Sequence, residues 1–391
     1  MIWTALGGAM EPNMIGAYGP WAASLAGEGP ARLSFRGPRF RAGDVDAWRA
    51  MARARLAECL LTPETGGVPK AELQHQIDHD DLHIEHLSWS LPYGPPTEAF
   101  FLKPKGERGP LPGVLALHDH GGNKYFGTRK IAQMGDALHP MMKTHRDRYY
   151  GGVSWANELA RRGYAVLVHD AFAFASRRVR AADLASSIRR DLKEVDPEST
   201  GEIEAYNRFA GEHEDLMAKS LFSAGTTWPG VFLAEDRRAL DYLESRPDVD
   251  PKRLGCAGLS GGGLRTVYLG GVDDRIACAC CVGMMTTWRD YLLHKCHTHT
   301  WMIYIPGLPL DLDYPEVLGL RAPKPTLVLN NNEDALFTIG EMKRADRILA
   351  EVFAKAGASD RYRCSFYPGG HKFDRPMQAE AFGWFDRWLK A

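Results

Sequence analysis

One serine stands among five glycines in GCAGLSGGG, residues 255–263. The preceding RLGCAGLS is apolar enough for a short buried strand, and the following GLRTVYLGG carries helical spacing. Ser260 therefore falls at a strand-to-helix turn, inside the pattern G-x-S-x-G. The flanking glycines suit a tight turn in which a Cβ would strike the adjoining strand and helix. Serine is a weak nucleophile at neutral pH and needs a base held in one tautomer by an acid. Asp334 follows 74 residues later in PTLVLNNNEDALF, and His371 a further 37 residues on in YPGGHKF. Serine, acid and histidine thus occur in the chain order expected when the nucleophile sits on such a turn. A phosphate-binding Walker loop would need Lys followed by Ser or Thr, which this glycine run lacks.

Acyl transfer also needs N–H donors for a tetrahedral oxyanion. LALHDHGGNKYFG, 115–127, places Gly121, Gly122 and Asn123 just past a strand. The site read from sequence is therefore Ser260, Asp334 and His371, with an oxyanion hole from the N–H groups of Gly122 and Gly261, and with no cofactor or metal. Glu333 is the rival acid, and His297 and His299 are rival bases that precede the acid in the chain. Cys296–His299 resembles a metal site but has no second ligand pair at useful spacing. His75, His79, His83 and His86 lie among Asp and Glu and read as solvated residues.

Apolar runs alternate with helical stretches and should position these groups. Strands are expected at 114–120, 164–170, 253–260, 276–284, 325–331 and 363–369. Helices are expected at 43–60, with Asp44 as N-cap, and at 151–162, 228–245 and about 376–390. The pattern predicts an α/β fold with a doubly wound, mostly parallel sheet covered on both faces. An antiparallel hairpin, 82–104, turns at YGPP. Residues 1–84 read as an N-terminal arm and helix, and residues 85–391 as the main domain. A charged helical insertion covers about 177–222, and 285–322 reads as a long loop at the edge of the sheet where ligands bind.

The 391 residues carry 48 Lys and Arg against 49 Asp and Glu, so nothing in the charge recommends nucleic acid or an anionic membrane as partner. Seven cysteines without a CxxC pair read as free thiols. The first twenty residues lack a basic segment and are interrupted by Glu11, so no secretory signal is expected. No apolar run approaches the ~20 residues needed to span a bilayer. These features favour a cytoplasmic location.

LHDHGG, GLSGGG, NNNEDALF and PGGHKF together resemble the oxyanion loop, nucleophile turn, acid loop and histidine loop of the α/β-hydrolase superfamily. HDHGGNKYFG, the run from GLSGGG to CACCVG, and CHTHT with IPGL are similar to the acetyl xylan esterase-like and dienelactone hydrolase-like branch. That resemblance covers roughly 85–390. It implies cofactor-free hydrolysis of a small carboxylic ester, often an acetyl ester of a sugar, with Ser260, Asp334 and His371 as triad. Dienelactone hydrolases proper use cysteine where this chain has Ser260. Prolyl-oligopeptidase-type peptidases share part of the pattern, but roughly 85 preceding residues cannot form their β-propeller. Peptide or amide hydrolysis by the same triad is a second reading, and a non-catalytic binding protein on the same fold is the third. Trp228, Trp288, Trp301, Tyr291 and Tyr304 flank the site, as core or as stacking groups. Lys124 and Arg177 are cations for an anionic substrate group or for the surface. The arm suggests a homo-oligomer contact.

Overall fold

The computed structural model describes residues 12–390 apart from 28, 190, 196 and 197. Nine strands form one sheet: β1 (Glu72–His79), β2 (Leu82–Trp89), β3 (Thr97–Pro104), β4 (Leu111–Leu117), β5 (Ala165–His169), β6 (Val249–Leu259), β7 (Ile276–Val282), β8 (Thr326–Asn331) and β9 (Tyr362–Tyr367). Their order is β1-β2-β3-β5-β4-β6-β7-β8-β9. Pairing is antiparallel from β1 to β5 and parallel from β5 to β9. This is the doubly wound α/β sheet expected from the alternation of apolar runs and helices. The sheet begins at Glu72, so residue 84, the expected edge of the main domain, lies inside β2.

The central strands read as continuous apolar runs because both faces are covered. Leu254 and Cys256 of β6 and Ala279 and Cys281 of β7 face one core, with Leu240, Val267 and Leu349 of the helices packed there. Ala257 and Leu259, with Cys278 and Cys280, face the other core beside Trp155, Phe382 and Phe385. The strand period of two thus divides the cysteines of CACC between two layers. All seven cysteines are free, and burial pushes the Cys278, Cys280 and Cys281 thiols up, which leaves them as apolar filling.

The arm is tied down by its aromatics. Phe35 stacks on Trp48 at 4.8 Å, and Trp48 Nε1–H donates to the Leu33 carbonyl at 2.7 Å. The following helix is Val45–Leu60. Asp44 stands before it, but its carboxylate accepts the Arg41 N–H at 2.7 Å rather than capping the helix. The insertion contains a long helix, Thr200–Ser223, with Ile203, Tyr206, Ala210, Glu214 and Ala218 buried at steps of three and four. It seats on Tyr125, Phe126 and Met142.

Residues 285–322 are not a plain loop. They hold one-turn helical pieces at Trp288–Lys295 and a capped helix at Tyr314–Gly319. Trp228, Trp288 and Tyr291 belong to the core, whereas Trp301 is partly exposed. Among the described residues no helix is long and apolar enough to cross a membrane.

Candidate active site

β6 ends at Leu259, and the helix Gly261–Val272 starts one residue beyond Ser260. Ser260 holds φ +58° and ψ −117°, a strained conformation for a residue with a side chain. Two bonds pin it: its N–H donates to Val282 O at 2.9 Å, and its carbonyl accepts from Leu264 N–H at 2.8 Å. The glycines are required by contact. A Cβ at Gly258 or Gly262 would lie 2.4 Å or 2.0 Å from Leu117 O, and one at Gly263 would lie 2.6 Å from Val282 O. The helix therefore packs directly on β4 and β7, and the serine is forced out between them.

β8 delivers Asp334 just past its end. The carboxylate is buried; Oδ1 accepts Leu336 N–H at 3.0 Å, and Oδ2 lies 2.6 Å from His371 Nδ1. His371 follows β9, and its ring sits over Gly283, where a Cβ would come within 3.1 Å of Cε1. Its Nε2 is buried and has no hydrogen-bond partner among the described residues. Glu333 points elsewhere: it is exposed and accepts Gly369 N–H at 3.4 Å. Ser260, Gly261, Gly122 and His371 line one cavity of about 310 Å³. No hydrogen bond joins Ser260 to His371; a bond of this kind often tightens only in the complex with substrate.

Two further histidines line this cavity, His120 and His299. His299 places Nε2 2.9 Å from the Leu336 carbonyl, so Nε2 carries the proton and Nδ1 is bare. Burial pulls its pKa down to about 4. His297 is exposed and lies 3.3 Å from Met14 Sδ, away from Asp334. Among the described residues no group of three or more His, Cys, Asp or Glu is placed to hold a metal ion. His83 and His86 pair with Asp78 and Glu98 on the outer strands.

The loop after β4 is held from below and above. Lys130 Nζ donates to the carbonyls of Asp119 and His120 at 2.7 and 2.8 Å. Burial lowers Lys130 to about 8. Asp119 is buried with His145 at 3.1 Å and accepts from Tyr150. His120 Nδ1 accepts Gly122 N–H at 3.0 Å, and its Nε2–H donates to Glu214 Oε1 at 2.9 Å. Gly122 N–H is thus turned to His120 in this geometry rather than left open to the cavity. Gly261 lies against this loop, since its Cβ would be 3.0 Å from His120 N.

Lys124 and Arg177 are neither surface residues nor open to a substrate. Both are buried, Lys124 paired with Glu214 at 2.8 Å and Arg177 with Glu235 at 2.6 Å. Glu214 escaped the sequence reading. The only local signal for it is its place on the buried stripe of the insertion helix, four residues from Ala210 and from Ala218.

No family model matches the chain. The Bacillus subtilis (strain 168) protein YtaP, provisionally named a hydrolase, is 29% identical over 315 residues, which is 80% of this chain and 90% of that one. Among solved structures, a Bacteroides fragilis protein provisionally described as an acetyl xylan esterase superposes with TM-score 0.67 at 17% identity, covering 92% of this chain and 84% of its own. A glucuronoyl esterase from Solibacter usitatus superposes with TM-score 0.61 at 15% identity, covering 91% and 97%. The architecture is that of the α/β-hydrolase fold.

Proposed function

We propose that the protein is a serine hydrolase that cleaves a small carboxylic ester through an acyl-enzyme. The observation that carries this reading is the 2.6 Å bond between His371 Nδ1 and Asp334, which leaves an unpartnered Nε2 on the cavity that also holds the strained Ser260. The likeness in fold to carbohydrate esterases adds support.

In this mechanism Ser260 Oγ bonds to the ester carbonyl carbon while its proton passes to His371 Nε2. Asp334 holds the Nδ1–H tautomer and stabilises the imidazolium. The carbonyl becomes an oxyanion that takes Gly261 N–H, at the first position of the nucleophile helix, and the N–H of Gly122 once that group leaves His120 Nδ1. The bond to the alcohol oxygen then breaks, and the alcohol departs with the proton from His371. Water, deprotonated by His371, attacks the acyl carbon, and as the acid leaves His371 returns that proton to Ser260 Oγ.

The test is intact-mass spectrometry after exposure to a fluorophosphonate. The wild type should gain one adduct and Ser260→Ala none. A folded wild-type chain that gains none would sink the assignment.

A further inference from the structure

Two hollows meet over the loop after β4. The cavity of Ser260 and His371 is walled beyond the reacting groups mainly by Leu264, Met284, Met302, Ile303 and Leu336. A second, more open groove of about 630 Å³ runs between the helix Pro140–Tyr150 and the insertion helix. Gly121, Gly122 and Tyr149 line both, so the two spaces adjoin at the proposed oxyanion position.

The groove differs in chemistry. Arg148, Glu204, Arg208 and Glu212 stand along its sides. Arg129, by contrast, is paired with Glu198 at 2.8 Å. Among the described residues none of these four enters an ion pair, and Arg148 only overlies the Tyr149 ring at 4.9 Å. Between them lies Gly211, in the middle of a 24-residue helix. Glycine is a poor helix former and is costly there. Its missing side chain leaves open space, since a Cβ would meet nothing within 4 Å. The same is true of Gly122 on the floor.

We infer that the ester straddles the loop, with its acyl chain in the apolar cavity and its alcohol in the groove, so that the insertion helix selects the leaving alcohol. The alcohol that fits is a bulky polar one carrying both donor and acceptor groups, because the walls offer guanidinium and carboxylate side by side. A short alkyl alcohol leaves the groove unused. This inference rests on the ester-hydrolase reading of Ser260. It gives the insertion a role in specificity without placing it in the chemistry.

The experiment compares methyl butyrate with a glucose monobutyrate, which share an acyl group and differ in alcohol. Gly211→Trp fills the groove from the helix side, Gly211→Ala is the control, and Arg208→Glu changes the wall without adding bulk. In Gly211→Trp, kcat/KM for the sugar ester should fall at least tenfold while methyl butyrate stays within about twofold. Arg208→Glu should shift the same ratio in the same direction, and Gly211→Ala should leave it in place. Equal losses on both esters, or no loss on either, would overturn the subsite. If fluorophosphonate labels Ser260 and discrimination is unchanged, the subsite alone fails; if Ser260 is not labelled, the hydrolase reading fails with it.

Discussion

Two histidines on the walls of one cavity are each bonded to a carboxylate, His371 to Asp334 and His120 to Glu214. A carboxylate partner therefore does not mark the base. The difference lies at the second nitrogen. In His371 that atom is Nε2, buried and unpartnered. In His120 it is Nδ1, occupied by Gly122 N–H. One ring is held so that it can take a proton, and the other is saturated and holds a loop. Their supports differ as well. His371 rests on a glycine and a single acid, whereas His120 stands in a set of buried charges made by Glu214, Lys124, Lys130 and Asp119.

The largest expected effect tests the first ring. Asp334→Asn keeps the shape but favours the wrong tautomer of His371, so kcat should fall roughly 10³–10⁴-fold. Glu333→Gln should stay within about twofold, because Glu333 faces Gly369. Steady-state kinetics on a simple ester reads both, and equal losses would erase the distinction between the two acids. Next in size is Gly283→Ala. Its φ of +57° strains any side chain, and the methyl would press on the His371 ring at 3.1 Å. Displacement of a catalytic group by a fraction of an ångström should lower kcat about 10- to 100-fold. Gly357→Ala, away from the cavity and with a similar φ of +69° and open space, separates backbone strain from contact with the ring.

The second ring should give less. Glu214→Gln leaves His120 a neutral partner and should reduce kcat about tenfold, while the loss of the carboxylate paired with buried Lys124 should cost about 3 kcal/mol of stability. A loss as large as that of Asp334→Asn would place His120 in the chemistry and break the comparison. The pH dependence has a definite sign. Burial, opposed by the bond to Glu214, lowers the His120 pKa below its ordinary value. The His120 bond and the Lys124 charge outweigh burial and lower the Glu214 carboxyl. Both folded values are depressed, so both groups stabilise the fold at neutral pH and lose that contribution as pH falls through their folded values. The drop in Tm from pH 7 to pH 5 should be smaller in His120→Phe than in the wild type.

The meeting of Asp334 with His371 beside Ser260 was legible in the sequence, and the support that Glu214 gives His120 was not. Ser260, Asp334 and His371 each follow a strand end marked by an apolar run and, in two cases, by glycines, so local pattern sufficed to place them at one edge of the sheet. Glu214 meets His120 across 94 residues, and only tertiary packing buries it. β1 was missed for a related reason. Its residues ELQHQIDH are nearly all exposed, so no alternation of apolar and polar side chains betrays the edge strand. The helical pieces within 285–322 are one or two turns long and depend on caps such as Thr287 and Asp313, too short for a 3.6-residue period to register. Lys124 and Arg177 show the reverse error: their charge suggested exposure, and their partners, Glu214 and Glu235, were out of sight along the chain.

The third cavity histidine sharpens the comparison with the smallest effect. His299 has no carboxylate partner; its Nε2–H goes to the Leu336 carbonyl, and burial holds the ring neutral down to about pH 4. Its bare Nδ1 resembles the free nitrogen of His371, but without an acid behind it the ring gains little by taking a proton. His299→Phe keeps the flat ring beside Tyr291 and Phe337 and loses one hydrogen bond, a change worth about 1 kcal/mol of stability. Turnover should remain within about threefold, and the acid limb of the kcat/KM profile should not move. A shift in that limb would mean that His299 takes part in the proton transfer. In wild-type protein the His299 ring-proton NMR signal should stay at its neutral position from pH 8 to pH 5.5, the range in which an unperturbed histidine would titrate.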